Sequence, residues 1–259
     1  MKDEVAIINE KHWERMVKEG CGYTIPWLKL DRNAIQKYAK GQLDTIPNAL
    51  DVMTPRTILA DIKDKDVLCL ASGGGQQSAI FGLLGANVTV VDISEGQLEG
   101  DRKAATHYGY EITTIHADMR DLSCLDDDSF DLIYGTAICY VPDIHKVYSE
   151  IARTLKQGGI FRMDFHQPAV HFIKWDGNGY QIAKPYFEHI DRREDGAIEF
   201  RHYMDDIFNG LIEMGLSIRQ VVDISRNNKP DPKAIPGTWD HEEPYVGGNF
   251  VIVAKKEIR

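Results

Sequence analysis

The sequence predicts an open, mostly parallel α/β sheet with helices on both faces, and three observations carry this. Short apolar runs recur at 67–70, 88–91, 111–116, 130–134, 160–165, 216–223 and 250–255, giving seven candidate strands. Helical patterns separate them, as crossovers between parallel strands require. The first run leads directly into Gly73, Gly74 and Gly75. Such a turn lets the main chain approach a ligand with no Cβ in the way.

Each element has its own signal. Residues 3–18 read as a helix with Val5, Ile8, Trp13 and Met16 near one face. A turn-rich bridge spans 20–30, and Asp31 caps a short helix over 33–40 that Gly41 stops. Thr54-Pro55 opens a helix reaching about Ile62. Val67, Leu68, Cys69 and Leu70 form an unbroken apolar strand, as burial on both faces demands. Ile80, Leu83 and Leu84 mark the next helix, ended by Gly85. The second strand ends at Asp92, and Ser94 with Gln97 makes a capping-box pattern for a helix to about His107. Asp118 follows the third strand. Pro142-Asp143 starts an amphipathic helix carrying Ile144, Val147, Tyr148, Ile151, Ala152 and Leu155, with Gly158-Gly159 as its end. Ile207, Phe208, Leu211 and Ile212 mark a last helix, closed by Gly215.

Bulk properties narrow the function. A chain of 259 residues is expected to form one domain with inserted segments. Its formal charge of −10 argues against a nucleic-acid partner, which would need a basic face. No apolar run approaches the roughly 18 residues of a membrane span, and the opening segment MKDEVAIINEKHWERM has no signal-peptide core. Cys21, Cys69, Cys124 and Cys139 have no paired spacing, so neither a disulfide nor a zinc framework is expected, and a cytoplasmic setting is. No compact Asp/Asn trio follows the fourth strand, and no metal is expected.

The unit from Val67 to Ser94 is strand, glycine turn, helix, and a second strand ending in an acid. Asp92 lies close to the separation of roughly 20 residues at which an acid meets a ribose hydroxyl pair. A dinucleotide fingerprint would place glycine or alanine where Ser78 stands, so a NAD(P)-dependent oxidoreductase is the weaker alternative. From about Asp64 to Arg259 the chain resembles the class I S-adenosylmethionine-dependent methyltransferases, of small-molecule type. VLCLASGGG resembles their first motif, HADMRDL the acid after the third strand, FDLIYGTAICYVPD the fourth motif and LKQGG the turn before strand five. Cys69 replaces the usual acid and Ala71 the first glycine. No cofactor contact is therefore expected from Cys69, and the turn at Ala71 is expected to form without positive-φ freedom.

The resemblance implies a Rossmann-like, seven-stranded, mostly parallel sheet whose last strand is reversed. It implies S-adenosylmethionine as cofactor, held by Ala71, Ser72, Gly73, Gly75 and Gln76 in the turn. Asp92 would hold the ribose, with Ile93 against adenine and Gln97 nearby. Asp118 would bond the adenine amine beside Met119, with Thr136 and Ala137 completing the set.

Ligands of such sheets bind beyond the carboxyl ends of the strands. An N-terminal helical cap (1–60) and insertions at about 166–203 and 224–249 in the methyltransferase domain (61–259) are expected over that edge. Their aromatic content suggests a closed pocket for a small-molecule acceptor, methylated on O, N or S by in-line displacement. His166, His171, His202 and His241 are candidate bases. Tyr140 is a candidate pocket residue, and Tyr140 or Trp175 a candidate aromatic face for a cation. An RNA or protein acceptor remains an alternative. The apolar N-terminal helix suits a homodimer contact as well as a lid.

Overall fold

The computed structural model describes residues 3–258; Met1, Lys2 and Arg259, which the expected cap and last unit include, lie outside them. Helix α1 (Glu4–Glu19) starts at Asp3, whose side chain accepts the Ala6 N–H, and ends at the left-handed Gly20. Helix α2 (Arg32–Ala39) is capped by Asp31, and a single turn, α3 (Asn48–Asp51), follows. Then come β1 (Asp66–Leu70), α4 (Gln77–Leu84), β2 (Asn87–Asp92), α5 (Glu95–Tyr108), β3 (Ile112–His116) and β4 (Phe130–Gly135). Helix α6 (Ile144–Thr154) leads into β5 (Leu155–His166). Two hairpins follow, β6 (Ile173–Trp175) with β7 (Tyr180–Ile182) and β8 (Ile190–Arg192) with β9 (Ile198–Phe200). The chain closes with α7 (Met204–Glu213), β10 (Leu216–Asp223), α8 (Trp239–Val246) and β11 (Asn249–Lys256).

The seven-stranded sheet has the order β10-β11-β5-β4-β1-β2-β3. Strands β1 to β5 pair in parallel, and β11 runs antiparallel to both β5 and β10. This is the predicted Rossmann-like sheet with its reversed last strand. Strand alternation divides the core in two. Leu68, Leu70, Ile133, Phe161 and Met163 face α6 and α7, while Val67, Cys69, Val90, Leu132 and Tyr134 face α2, α4 and α5. The order reverses between β1 and β4, so the ends of both open a crevice at one edge.

Three expectations are corrected. The glycines at 158 and 159 do not end a helix. Helix α6 stops at Thr154, and both glycines lie inside β5, where the register with β4 shifts. Leu155 pairs with Phe130, and Gly158 takes φ +78, so the pair serves a strand irregularity. The predicted helix over 54–62 shrinks to a 3-10 turn at Arg56–Leu59. It has no side-chain cap, Asp61 turns left-handed, and Ile58, Leu59 and Ile62 bury themselves on the sheet instead. In α1 the fully buried residues are Ala6, Asn9 and His12, whereas Val5, Ile8, Trp13 and Met16 are half-buried.

Asn9 explains that polar stripe. Its amide donates to the Tyr140 and Ile198 carbonyls at 3.1 and 2.9 Å, and its oxygen accepts the Ile198 N–H at 2.8 Å. One side chain thus joins the N-terminal helix, the loop after β4 and the β9 strand of the first insertion. Asn9→Ala leaves three backbone groups without partners, at about 1–3 kcal/mol for each buried one. We expect a loss of about 2–4 kcal/mol in urea unfolding and faster proteolysis within 166–203.

Candidate active site

A cavity of about 1090 Å³ lies beyond the carboxyl ends of β1, β2, β3, β4 and β5. Single-ligand pockets run to roughly 1,000 Å³, so this one has room for two small molecules. The structure brings together nearly all the residues that sequence reasoning proposed. Ala71, Ser72, Gly73, Gln76, Asp92, Ile93, Gln97, Asp118, Met119, Thr136 and Ala137 line one part, and Tyr140, His166, His171 and Trp175 line another. Gly75, His202 and His241 are not in the lining. Gly75 takes φ +75 with its would-be Cβ 2.4 Å from the Gly100 carbonyl oxygen, so it serves the packing of the turn on α5. His241, in the second insertion, shares a 2.7 Å hydrogen bond with Tyr180 of the first and stands outside the lining. His202 contacts the Ile138 carbonyl at 3.1 Å and acts as a strut.

The glycine turn is built on a buried carboxylate that sequence reasoning missed. Asp101 of α5 accepts the Gly74 and Gly75 N–H groups at 3.1 and 3.0 Å and the Ser78 hydroxyl. Its signal was an acid on the apolar stripe of α5, between Leu98 and Ala104. Burial pushes its carboxyl up to about 7, assisted by the charge of Asp92 and opposed by these hydrogen bonds. Asp92 lies at the end of β2 and accepts from Gly73 N–H at 3.2 Å and Ser94 N–H at 2.9 Å. Burial raises it to about 6 against those bonds. A carboxylate offers about four acceptor sites, so two remain for a ligand.

On the Asp92 side of the cavity two buried atoms have no hydrogen-bond partner, Ser72 Oγ and Gln97 Oε1. Unpaired polar atoms at such depth are costly and point to a ligand with matching groups. Asp118 is more committed. Arg120 binds both its oxygens, at 2.6 Å for the closest, and reaches Asp3 at 2.6 Å, tying the start of α1 to the loop after β3. This bond to Arg120 also holds the Asp3 carboxyl down at about 2. Glu14 of α1 accepts from the Ser94 hydroxyl and the Gly96 N–H at 2.8 and 2.9 Å. The N-terminal helix is therefore bonded to the loops after β2 and β3.

The other part of the cavity is rich in imidazole and charge. His166 Nδ1 and His171 Nε2 are 3.3 Å apart. Burial pushes the His166 imidazole down to about 3, so it is neutral near pH 7. Asp191 is held well below the usual carboxylate range by His171 and Lys184. Tyr140 is pushed up by burial and meets Trp13 edge-on at 5.6 Å.

A doubly wound sheet with its crevice at the strand-order reversal defines a ligand-binding α/β protein. Comparisons narrow the class. Residues 68–163 match the family model described as a methyltransferase domain. The chain is 33% identical over 226 residues to the uncharacterized methyltransferase YbaJ of Bacillus subtilis (strain 168), across 81% of this chain and 87% of that protein. It is 37% identical over 134 residues to the demethylmenaquinone methyltransferase of Clavibacter sepedonicus, across 51% and 52% of the two chains. Among solved structures, geranyl diphosphate C-methyltransferase from Streptomyces coelicolor A3(2) superposes with TM-score 0.64 over 98% of both chains at 16% identity. An S-adenosylmethionine-dependent methyltransferase from Mesorhizobium loti gives 0.63 over 80% of this chain and 95% of that one, at 23% identity. The chain belongs to the class I S-adenosylmethionine-dependent methyltransferases.

Two predictions follow from the turn. Asp101→Ala strands the buried Gly75 N–H and the Ser78 hydroxyl, leaves the Gly74 N–H only its bond to the Gln97 carbonyl, and is expected to cost about 2–5 kcal/mol in urea unfolding. In the unfolded chain Asp92 and Asp101 release protons near the ordinary value of 3.8, but folded they hold them to about 6 and 7. The folded state thus binds more protons in that window, and the two groups' contribution to stability falls as pH rises from about 4 to 7. Melting temperatures across that range should fall less steeply in Asp101→Asn.

Proposed function

We propose that this chain transfers the methyl group of S-adenosylmethionine to a small molecule enclosed by the N-terminal cap and the two insertions. The observation that carries this is the divided cavity. One part presents Asp92 with two free acceptor sites and the unpaired Ser72 Oγ and Gln97 Oε1. The other is walled by the segments 166–195 and 236–249 and by Trp13 and Tyr140.

In this reading Asp92 accepts the ribose hydroxyls, and charge assistance makes those bonds stronger than neutral ones. Ala71, Ser72, Gly73 and Gln76 flank the polar end of the cofactor. Gly73 must lack a side chain, since a Cβ there would come within 2.8 Å of Asp92 Oδ2. Gly75 supports the turn from behind. Ile93 and Met119 pack on adenine, and Asp118 shares its carboxylate between the adenine amine and Arg120. Gln97, Thr136 and Ala137 complete this wall.

When bound, the cofactor supplies a methyl carbon on a positively charged sulfur. The protein's part is alignment and exclusion of water, which together can lower a barrier by roughly 7–11 kcal/mol at best. Tyr140 and Trp175 offer aromatic faces toward the cationic centre. An acceptor O, N or S nucleophile would lie toward His166 and His171, which are placed to receive its proton. Carbon is the second reading for the accepting atom, because relatives include sterol 24-C-methyltransferases and a ubiquinone/menaquinone C-methyltransferase. The acidic balance of −10 supports a small molecule over RNA. Among the described residues no helix is long and apolar enough to cross a membrane, and the four cysteines are free, which fits a cytoplasmic setting.

Calorimetry with S-adenosylmethionine tests the cofactor half. Asp92→Ala should weaken binding about tenfold or more, as loss of a charge-assisted hydrogen bond of about 1.5–3 kcal/mol requires. Unchanged affinity would remove Asp92 from the ribose.

A further inference from the structure

A cluster on the acceptor side has a composition that positioning alone does not require. His166, His171 and Glu199 each offer a ligand atom, and these atoms lie within 4.8 Å of one another. It is the only such group of three among the described residues. Its members come from the end of β5, the turn after it and β9, so no spacing in the sequence announces it. All three line the cavity.

The pairing within the cluster is chemically specific. His171 Nδ1 is buried, has no hydrogen-bond partner and faces Asp191 Oδ2 at 4.0 Å. A carboxylate on that side favours the proton on Nδ1. The Nε2 lone pair then points at His166 Nδ1, 3.3 Å away. Two imidazole nitrogens this close need a proton or a cation between them. Glu199, 7% exposed, places a carboxylate oxygen within 4.8 Å of ring nitrogens of both histidines. Arg193 forms an ion pair with its Oε2 at 3.8 Å, too long for a hydrogen bond, so the carboxylate keeps lone pairs open. Asn249 is the cross-strand partner of His166 and lines the same cavity, and its Oδ1 is buried without a partner.

We propose that His166 Nδ1, His171 Nε2 and a Glu199 carboxylate oxygen form a site for a divalent transition metal of the zinc class, with an open position toward the cavity. Two imidazoles and one carboxylate suit such ions, and sites with three protein ligands leave room for a substrate atom. Asp191 plays the outer part, orienting His171 as carboxylates behind metal-bound imidazoles do. The inference departs from the metal-free expectation of the sequence. It also deepens the small-molecule reading, on which its functional meaning rests, and replaces the two imidazoles' part there as proton acceptors, since their facing lone pairs would be taken by the ion. The acceptor would carry an oxygen or sulfur able to ligate the ion, and the ion would hold that atom in place.

The test uses the full chain after chelator treatment, with zinc(II) in calorimetry and cobalt(II) in visible absorption, each beside a separate S-adenosylmethionine titration. We expect one equivalent of zinc and cobalt bands of low-symmetry coordination. His171→Ala and Glu199→Gln should each weaken zinc by roughly 100-fold or more, and Asp191→Asn by about tenfold, while S-adenosylmethionine affinity is kept. His107→Ala, on the exposed side of α5, should change neither. No zinc binding by chain that still binds S-adenosylmethionine overturns the site, as does zinc binding that survives both ligand variants. Zinc binding without S-adenosylmethionine binding would support the site and sink the methyltransferase reading of the cavity.

Discussion

A carboxylate buried on a helix holds the cofactor edge of this protein together. Asp101 takes two backbone N–H groups of the glycine turn and the hydroxyl that begins α4. Without it the Gly75 N–H would face the interior with nothing to bond, and the Gly74 N–H would keep only the Gln97 carbonyl. With it, Gly74 and Gly75 are drawn against Gly100, close enough that a Cβ on Gly75 would collide with backbone. The main chain at Ser72 and Gly73 is then left to face the cavity. Burial makes this carboxylate reluctant to ionise, and the neighbouring Asp92 adds to that reluctance. A cation or hydrogen-bond donor arriving at Asp92 relieves part of the same strain, so binding and the state of the turn are coupled through two acids.

The covering of the cavity depends on polar contacts of long sequence separation. Asn9 reaches Tyr140 and Ile198, Arg120 reaches Asp3, and Glu14 reaches Ser94 and Gly96. Hydrogen bonds contribute modest net stability but are costly to leave unmade when buried. Contacts within reach of water contribute less than buried ones, because water can replace their partners. The exposed Arg120–Asp3 pair is such a contact, whereas the buried Asn9 contacts are not.

The sheet was legible in the sequence because its strands are buried on both faces and read as continuous apolar runs, from Val67 to Leu70 and from Phe250 onward. Most residues lining the cavity at the strand ends were legible for a related reason, since they follow strand ends in a fixed topology. What could not be read was whatever depends on folding-back. Helix α8 has no buried residue and contains Pro244, so it shows no apolar face at helical spacing. Asn9, Asp101 and Glu199 are polar residues whose partners lie far along the chain or on another element, and nothing local marks them. The break between α6 and β5 was misread because Gly158 looks like a helix end and is a strand irregularity.

The alanine at position 71 shows how a departure from a family motif can leave geometry intact. A glycine there would supply left-handed freedom, and its replacement suggests a different turn. Yet Ala71 adopts φ +49, and Ala137, at the facing end of β4, adopts φ +60. Left-handed alanine costs roughly 1–2 kcal/mol, more than the roughly 0.4–1 kcal/mol that alanine gains by limiting the unfolded chain. Hydrogen bonds must therefore hold the conformation against a small net cost. The Ala71 N–H donates to the Val91 carbonyl at 2.8 Å, and its own carbonyl accepts the Thr136 hydroxyl. The Thr136 N–H in turn donates to Leu70 at 3.1 Å. These bonds lock the ends of β1, β2 and β4 to one another. Neighbouring strands therefore impose the turn at Ala71, and the residue type only has to be small enough to accept it.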